Sequence, residues 1–285
     1  MIELVTEPFA YTFMRNALAA GLLTVVASSL IGTWVVLRGM SFMGDALAHG
    51  VLPGIAVAFL LGGNLMLGAA VGAVVMIGGV SLASARSRLG VDTSIGLLFV
   101  GMLAAGVAII SKRGAYSGDL TTILFGDPIG VTRSDLRTAL IATLVALLAT
   151  VLLYRPFLVL SFSRDKAEVL GLRPGLAHLA MLGLIAMVIV TSFQTVGTLL
   201  VFAFIVAPPA TASLVSRRVP VMMAVAVLVG SLGVVVGLLV SFHAATATAP
   251  TIAGLTVLAF FLVLTGREVS EQLGRLRQRR GLAAV

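Results

Sequence analysis

Residues 41–54 read SFMGDALAHGVLPG and place Asp45 and His49 four residues apart at the mouth of a long apolar run. On an α-helix that spacing puts both side chains on one face, about 6 Å apart at Cβ, where they can share a proton or a cation. An ionised carboxylate near hydrocarbon costs on the order of 3 kcal/mol unless a polar cavity or a partner receives it, which makes the pair a candidate functional site. Carboxylate plus imidazole is an oxygen and nitrogen ligand set that suits zinc, manganese and ferrous iron. One chain supplies two such ligands, and two copies facing each other across a dimer axis would supply four. Without thiolate such a site can release its ion again, as conduction requires. Two other readings stay open on the residues alone. Asp45 could cap the helix while His49 bonds a neighbouring carbonyl, or the two could act as acid and base in an intramembrane enzyme.

The elements that carry this pair follow from composition. Of 285 residues, 59% are hydrophobic and 11% charged, against roughly 25% charged in an ordinary soluble domain. The chain therefore reads as an all-α integral membrane protein, since apolar runs of spanning length satisfy their backbone only as helices or a closed barrel, and no barrel-like alternation occurs. Runs of about 20 apolar residues fall near 16–37, 46–62, 64–84, 93–111, 138–154, 175–193, 195–214, 220–242 and 247–266. The second is short, and the sixth and seventh abut at TSFQTVG, which gives eight or nine transmembrane helices in a single domain over 1–285. Small-residue spacing such as GAAVGAVVMIGG at 68–79 predicts close helix approach.

The net charge is +8, yet the basic residues form short clusters between apolar runs and no stripe that could follow a phosphate backbone, so nucleic acid is not an expected partner. They report topology instead. With nine spans and a cytoplasmic C-terminus, Arg38, Arg86, Arg88, Arg155, Arg164, Lys166, Arg173, Arg217, Arg218 and five arginines of the basic tail at 267–285 lie inside. Arg15, Lys112, Arg113, Arg133 and Arg137 lie outside, which divides the 19 basic residues as the positive-inside rule requires. The N-terminal stretch MIELVTEPFAYTFMR is acidic and has no basic leader, so a cleaved signal peptide is not expected.

Between spans five and six, SFSRDKAEVLGLRPG at 161–175 reads as a short interfacial helix that another protein could grip, with an ordinary solvated loop as the alternative. The outward segment 111–135 is long enough to cap a pathway entrance. In 191–214 a polar break at Gln194 and Thr195 is followed by Pro208 and Pro209, which are expected to interrupt the helical ladder and to border a pathway, or to kink the span for packing. His178 and His243 sit at span ends and read first as interfacial residues. The chain has no cysteine, no phosphate-binding Gly-Lys-Ser/Thr loop, no His-Glu-x-x-His and no G-x-S-x-G elbow. It is expected to hydrolyse neither ATP nor peptides, so nucleotide energy must come from a partner.

Three stretches, GTWVVLRGMSFMGDALAHGVLPGIAVAFLLG (32–62), SFQTVGTLLVFAFIVAPPATASLVSRR (192–218) and DKAEVLGL (165–172), together resemble the permease subunits of bacterial zinc, manganese and iron ABC importers. DTSIGLLF (92–99) and DLTTILFGD (119–127) extend the resemblance over essentially the whole chain. It implies a fold similar to the vitamin B12 and siderophore permeases, a dimer of membrane subunits in the bacterial cytoplasmic membrane, an extracytoplasmic solute-binding protein that delivers metal, and two cytoplasmic ATP-binding subunits. Carried onto these residues, Asp45 and His49 match the family's metal-coordinating pair, and Asp165, Ala167 and Gly171 fall in the coupling helix that docks on the ATPase. The transported ion would be Zn2+ or Mn2+, with Fe2+ also open, and no cofactor would be bound permanently. A permease for a metal chelate or siderophore is the alternative. Family members often carry an acid and a Pro-Ser/Thr-Gly turn before the last span. SFHAATATAPTIAG at 241–254 has no acid, so this chain either lacks that contribution or uses His243 in its place, which leaves metal identity open.

Overall fold

The computed structural model describes residues 7–86, 91–111, 126 and 130–282. After a short turn at Pro8–Ala10 the chain forms α1 (Thr12–Leu37), α2 (Ser41–Gly50), α3 (Leu52–Leu60), α4 (Leu65–Arg86), α5 (Val91–Ile110) and α6 (Arg133–Leu152). It continues as α7 (Tyr154–Phe162), α8 (Arg164–Val169), α9 (Pro174–Val215), α10 (Val219–Ala244) and α11 (Thr248–Leu282). The described residues contain no strand. They hold nine stretches long and apolar enough to cross a membrane, with α2 and α3 sharing one and α9 supplying two. The expected all-α membrane architecture is present, with nine candidate spans among the described residues. The segment 111–135, expected to cap a pathway, lies mostly outside the described residues.

The fifth span begins earlier than hydropathy suggests, because polar residues at its start serve as a cap. Thr132 accepts from the Asp135 amide at 3.3 Å while the Asp135 carboxylate accepts from the Thr132 amide at 2.9 Å, a reciprocal capping box that starts α6 at Arg133 and not at 138. The second span also starts early, at Ser41 and not at 46. A Schellman turn ends α1: Gly39, at φ 64°, donates to the Val36 carbonyl, and Met40 donates to the Val35 carbonyl. The chain thus reverses within three residues, and Asp45 falls inside a helix, not at its mouth. The interfacial segment is also more built than expected, with α7 continuing past the fifth span before the six-residue α8.

α1 and α9 form the centre of the bundle, with Val25, Ile31, Trp34 and Val35 of α1 and Val201, Phe204 and Ile205 of α9 fully enclosed. Buried Thr33 and Thr211 return their hydroxyls to the Ser29 and Ala207 carbonyls, both at 2.8 Å, which removes the cost of an unpaired group in an apolar interior. Gly32 lies with its backbone against the Ile205 peptide, and a Cβ there would land on the Ile205 carbonyl oxygen. That carbonyl is available because Pro209, four residues on, has no amide to give it. The expected small-residue packing of 68–79 is present in the same form, with Gly68 of α4 against the Gly54 carbonyl of α3.

The expected break at Pro208 and Pro209 is corrected by the structure. The non-helical residue within α9 is Gly197, at φ 78° and ψ 156°, which turns the sixth span into the seventh. Proline's fixed φ is itself helical, so two prolines can sit within a helix whose freed carbonyls find other neighbours. Only glycine adopts the Gly197 conformation readily, and Gly197→Ala should cost about 1–3 kcal/mol. Thermal unfolding of detergent-solubilised protein should show a lowered midpoint for Gly197→Ala and for Gly32→Ala; wild-type midpoints would show that neither backbone is so constrained.

Candidate functional site

α2 buries Met43, Ala46, Leu47 and Gly50 among its neighbouring helices, with Gly50 facing Met76 of α4, and carries Phe42, Asp45 and His49 on its other face at i, i+3 and i+7. Asp45 Oδ1 stands 3.5 Å from His49 Nε2, and the two side chains are 27% and 24% exposed. The separation is an ion-pair distance and longer than a good hydrogen bond, so each group keeps capacity for a further partner. From the start of α2, a rise of 1.5 Å per residue puts Asp45 about 6 Å and His49 about 12 Å along the span.

The surroundings remove the capping alternative. Met40 occupies the N-cap, and Asp45 is the fifth residue of the helix. His49 Nδ1 is enclosed and has no hydrogen-bond partner among the described residues. The Phe99 ring of α5 packs edge-on to His49 with centroids 5.6 Å apart, and Phe42 lies 6.0 Å from Phe99. The helix ends one residue beyond His49, at Gly50, and resumes at Leu52. Pro53 accounts for this: it has no amide for the His49 carbonyl one turn before it. The Val51 amide between the two segments donates back to the Leu47 and His49 carbonyls. Among the described residues no group of three or more His, Cys, Asp or Glu that could hold a metal ion occurs.

The other candidate residues lie apart from this pair. α8 is capped by Ser163, whose hydroxyl accepts from the Lys166 amide at 3.3 Å. In it Asp165 is exposed and Ala167 is buried at 1% exposure. Gly171, at φ 70°, closes a second Schellman turn by donating to Glu168, while Leu172 donates to Ala167. Of Gln194 only the backbone, within α9, is described. Thr195 is buried and donates to the Ser192 carbonyl at 3.0 Å. Pro208 and Pro209 are buried, and Pro208 borders Gly230 of α10. His243 ends α10 with its ring edge-on to Phe242. His178 comes within 2.9 Å of Arg38, its Nδ1 facing the Arg38 Nη1.

Residue-type reasoning did not single out Phe99, nor the apolar pair of Val169, the last residue of α8, and Leu170 just after it, which stand 87% and 63% exposed. For the last two a signal was present, since apolar residues in a charged segment have no lipid-facing reason to be there. Phe99 had none, because one more phenylalanine in an apolar run is ordinary core.

Residues 10–267 match the ABC 3 transport family. The chain belongs to this family. It is 37% identical over 264 residues to the chelated iron transport system membrane protein YfeD of Yersinia pestis, covering 93% of this chain and 89% of that one. It is 35% identical to the manganese import system permease protein ScaB of Streptococcus parasanguinis, covering 89% and 90% of the two chains. Among solved structures, PsaBC from Streptococcus pneumoniae in complex with Fab aligns with a TM-score of 0.83 at 30% identity over 92% of this chain and 95% of that one. A metal-chelate type ABC transporter in an inward-facing conformation shares the fold at 15% identity, with a TM-score of 0.67 over 89% and 85% of the chains. The expected family and permease fold are thus those of this ABC 3 chain. If its Asp45 is a ligand, Asp45→Asn keeps shape and loses charge. Paramagnetic titration of the purified protein should then show Mn2+ affinity at least tenfold weaker; equal affinity would remove Asp45 from the ligand set.

Proposed function

We propose that the chain is the membrane permease subunit of an ATP-driven importer of divalent metal ions, with Asp45 and His49 as a transient station for the ion. The observation that carries this reading is the paired carboxylate and imidazole on the open face of α2, in a chain whose relatives are named for manganese and iron transport. Manganese and ferrous iron are the preferred cargo. Zinc accepts the same ligands, but the relatives reported above are named for the other two metals. Two ligands from one chain leave a first-row divalent ion under-coordinated, so a second copy across a dimer axis completes the site.

The remaining parts follow the same reading. The end of the bundle where α1 and α6 finish, and where α11 runs on into its arginine-rich extension, is cytoplasmic in a bacterial cytoplasmic membrane. There α8, with Asp165, Ala167 and Gly171, docks into each of two ATP-binding subunits, and Val169 and Leu170 supply the apolar contact. A solute-binding protein delivers metal at the opposite face. The chain itself hydrolyses nothing; the cycle of its ATPases switches the Asp45 and His49 station between outward and inward access. No resident cofactor is invoked.

Reconstituted with its ATPase and binding protein, the permease should import radioactive Mn2+ on ATP addition, and the Asp45→Ala, His49→Ala double variant should lose at least nine-tenths of that rate. Unchanged uptake would sink the site assignment. The chelated-iron name of one relative supports a second reading, a chelate permease, and uptake that rises on adding chelator would favour it. For the docking surface, Val169→Asp with Leu170→Asp should abolish co-purification of the ATPase while leaving the elution profile of the permease intact; retained co-purification would place the contact elsewhere.

A further inference from the structure

At the end of the bundle where α1 gives way to α2 lies a cavity of about 760 Å³, walled by residues of α2, α4, α5, α7 and α9. Its polar wall comprises Arg38, Ser81, Ser84, Asp92 and His178, while Phe42 and Met43 of α2 form the side nearest the metal pair. Phe42 belongs to the same face of α2 as Asp45 and His49 and packs on Phe99, which in turn packs on His49. An ion leaving the pair toward this end therefore passes the aromatic step and meets the cavity. Across the cavity Arg38, the C-cap of α1, reaches His178 in the second turn of α9 at 2.9 Å. A guanidinium only donates, so His178 Nδ1 must accept and holds no proton. The lone pair that would bind a divalent metal is thus taken up by a fixed positive charge.

From this we infer that Arg38, held by His178, is the inner electrostatic barrier of the metal pathway. A guanidinium and a divalent cation compete for the same imidazole lone pair, and they also repel each other, with the Asp92 carboxylate on the cavity wall offsetting part of that repulsion. While Arg38 is seated, the route past Phe42 is closed to cations from either side. When the Arg38–His178 contact opens, Arg38 withdraws, and His178 becomes a neutral nitrogen ligand that can draw the ion away from Asp45 and His49. The guanidinium acts through position and charge, so Arg38 is a positioning residue and binds no metal.

This inference rests on the metal-permease reading, and the test separates the two. Proteoliposomes holding the assembled transporter are loaded with radioactive Mn2+, and passive efflux without nucleotide is compared with ATP-driven uptake. Arg38→Gln should raise passive efflux about tenfold, the change produced by about 1.4 kcal/mol in a barrier. His178→Ala, which releases the guanidinium, should also leak, and His178→Gln, which restores an acceptor, should leak less than His178→Ala. Assembly is verified for each variant by co-purification of the ATPase subunits. Efflux from assembled Arg38→Gln within twofold of wild type, or equal leaks from the two His178 variants, would overturn the barrier. Absence of ATP-driven Mn2+ uptake by wild type would instead overturn the permease reading beneath it.

Discussion

The contact between α1 and α9, Gly32 against the Ile205 carbonyl, is the constraint on which the rest of the bundle hangs. No water reaches the middle of such an interface, so every backbone group there must find its partner in the protein. Pro209 strips the Ile205 carbonyl of its helical donor, and the absence of a side chain at Gly32 lets α1 close on it. Once these two helices are locked, α1 ends where its Schellman turn projects Arg38 toward His178 of α9 and starts α2 beside both. The same register brings Trp34 edge-on to Tyr154 and Phe157, with centroids 5.5 and 5.6 Å away, which ties the elbow leading to α8 to the core.

Helix breaks then distribute the chemistry. Three departures from a continuous helix stand next to residues that the proposed transport would use: Pro53 behind His49, Gly39 between Arg38 and Asp45, and Gly171 after α8. An unbroken helix offers only side chains, whereas an interrupted one also offers carbonyls without donors, and a hard or borderline cation accepts both. The pair on α2 is deliberately incomplete in this view, since a closed set of four ligands within one chain would bind an ion too firmly to pass it on.

The separation of charge along the molecule has a related cause. Arginines gather where the helices leave the apolar core, and Arg267 shows what one of them does there: it donates to the Leu214 carbonyl at 2.6 Å and pairs with Glu271 at 2.9 Å, satisfying the last turn of α9. Arg38 differs, because it turns into a cavity and not toward the solvent rim.

Much of this was legible in the chain of letters. Apolar length and the scarcity of charge decide that the protein is a helical membrane protein, since lipid leaves the backbone no alternative, and four-residue spacing decides that Asp45 and His49 share a face. Hydropathy could not decide where α2 begins, because Ser41 to Gly44 are held in a helix by the turn at Gly39 and by packing on Ile205 and Phe202, not by their own preference. Nor could it tell Gly197, the residue that turns the chain, from the prolines nearby. The meeting of Arg38 with His178, 140 residues apart, and of Phe99 with His49 belongs to tertiary structure alone. Pattern along a chain reports local periodicity and burial, while contacts between distant residues depend on which helices pack and at what register.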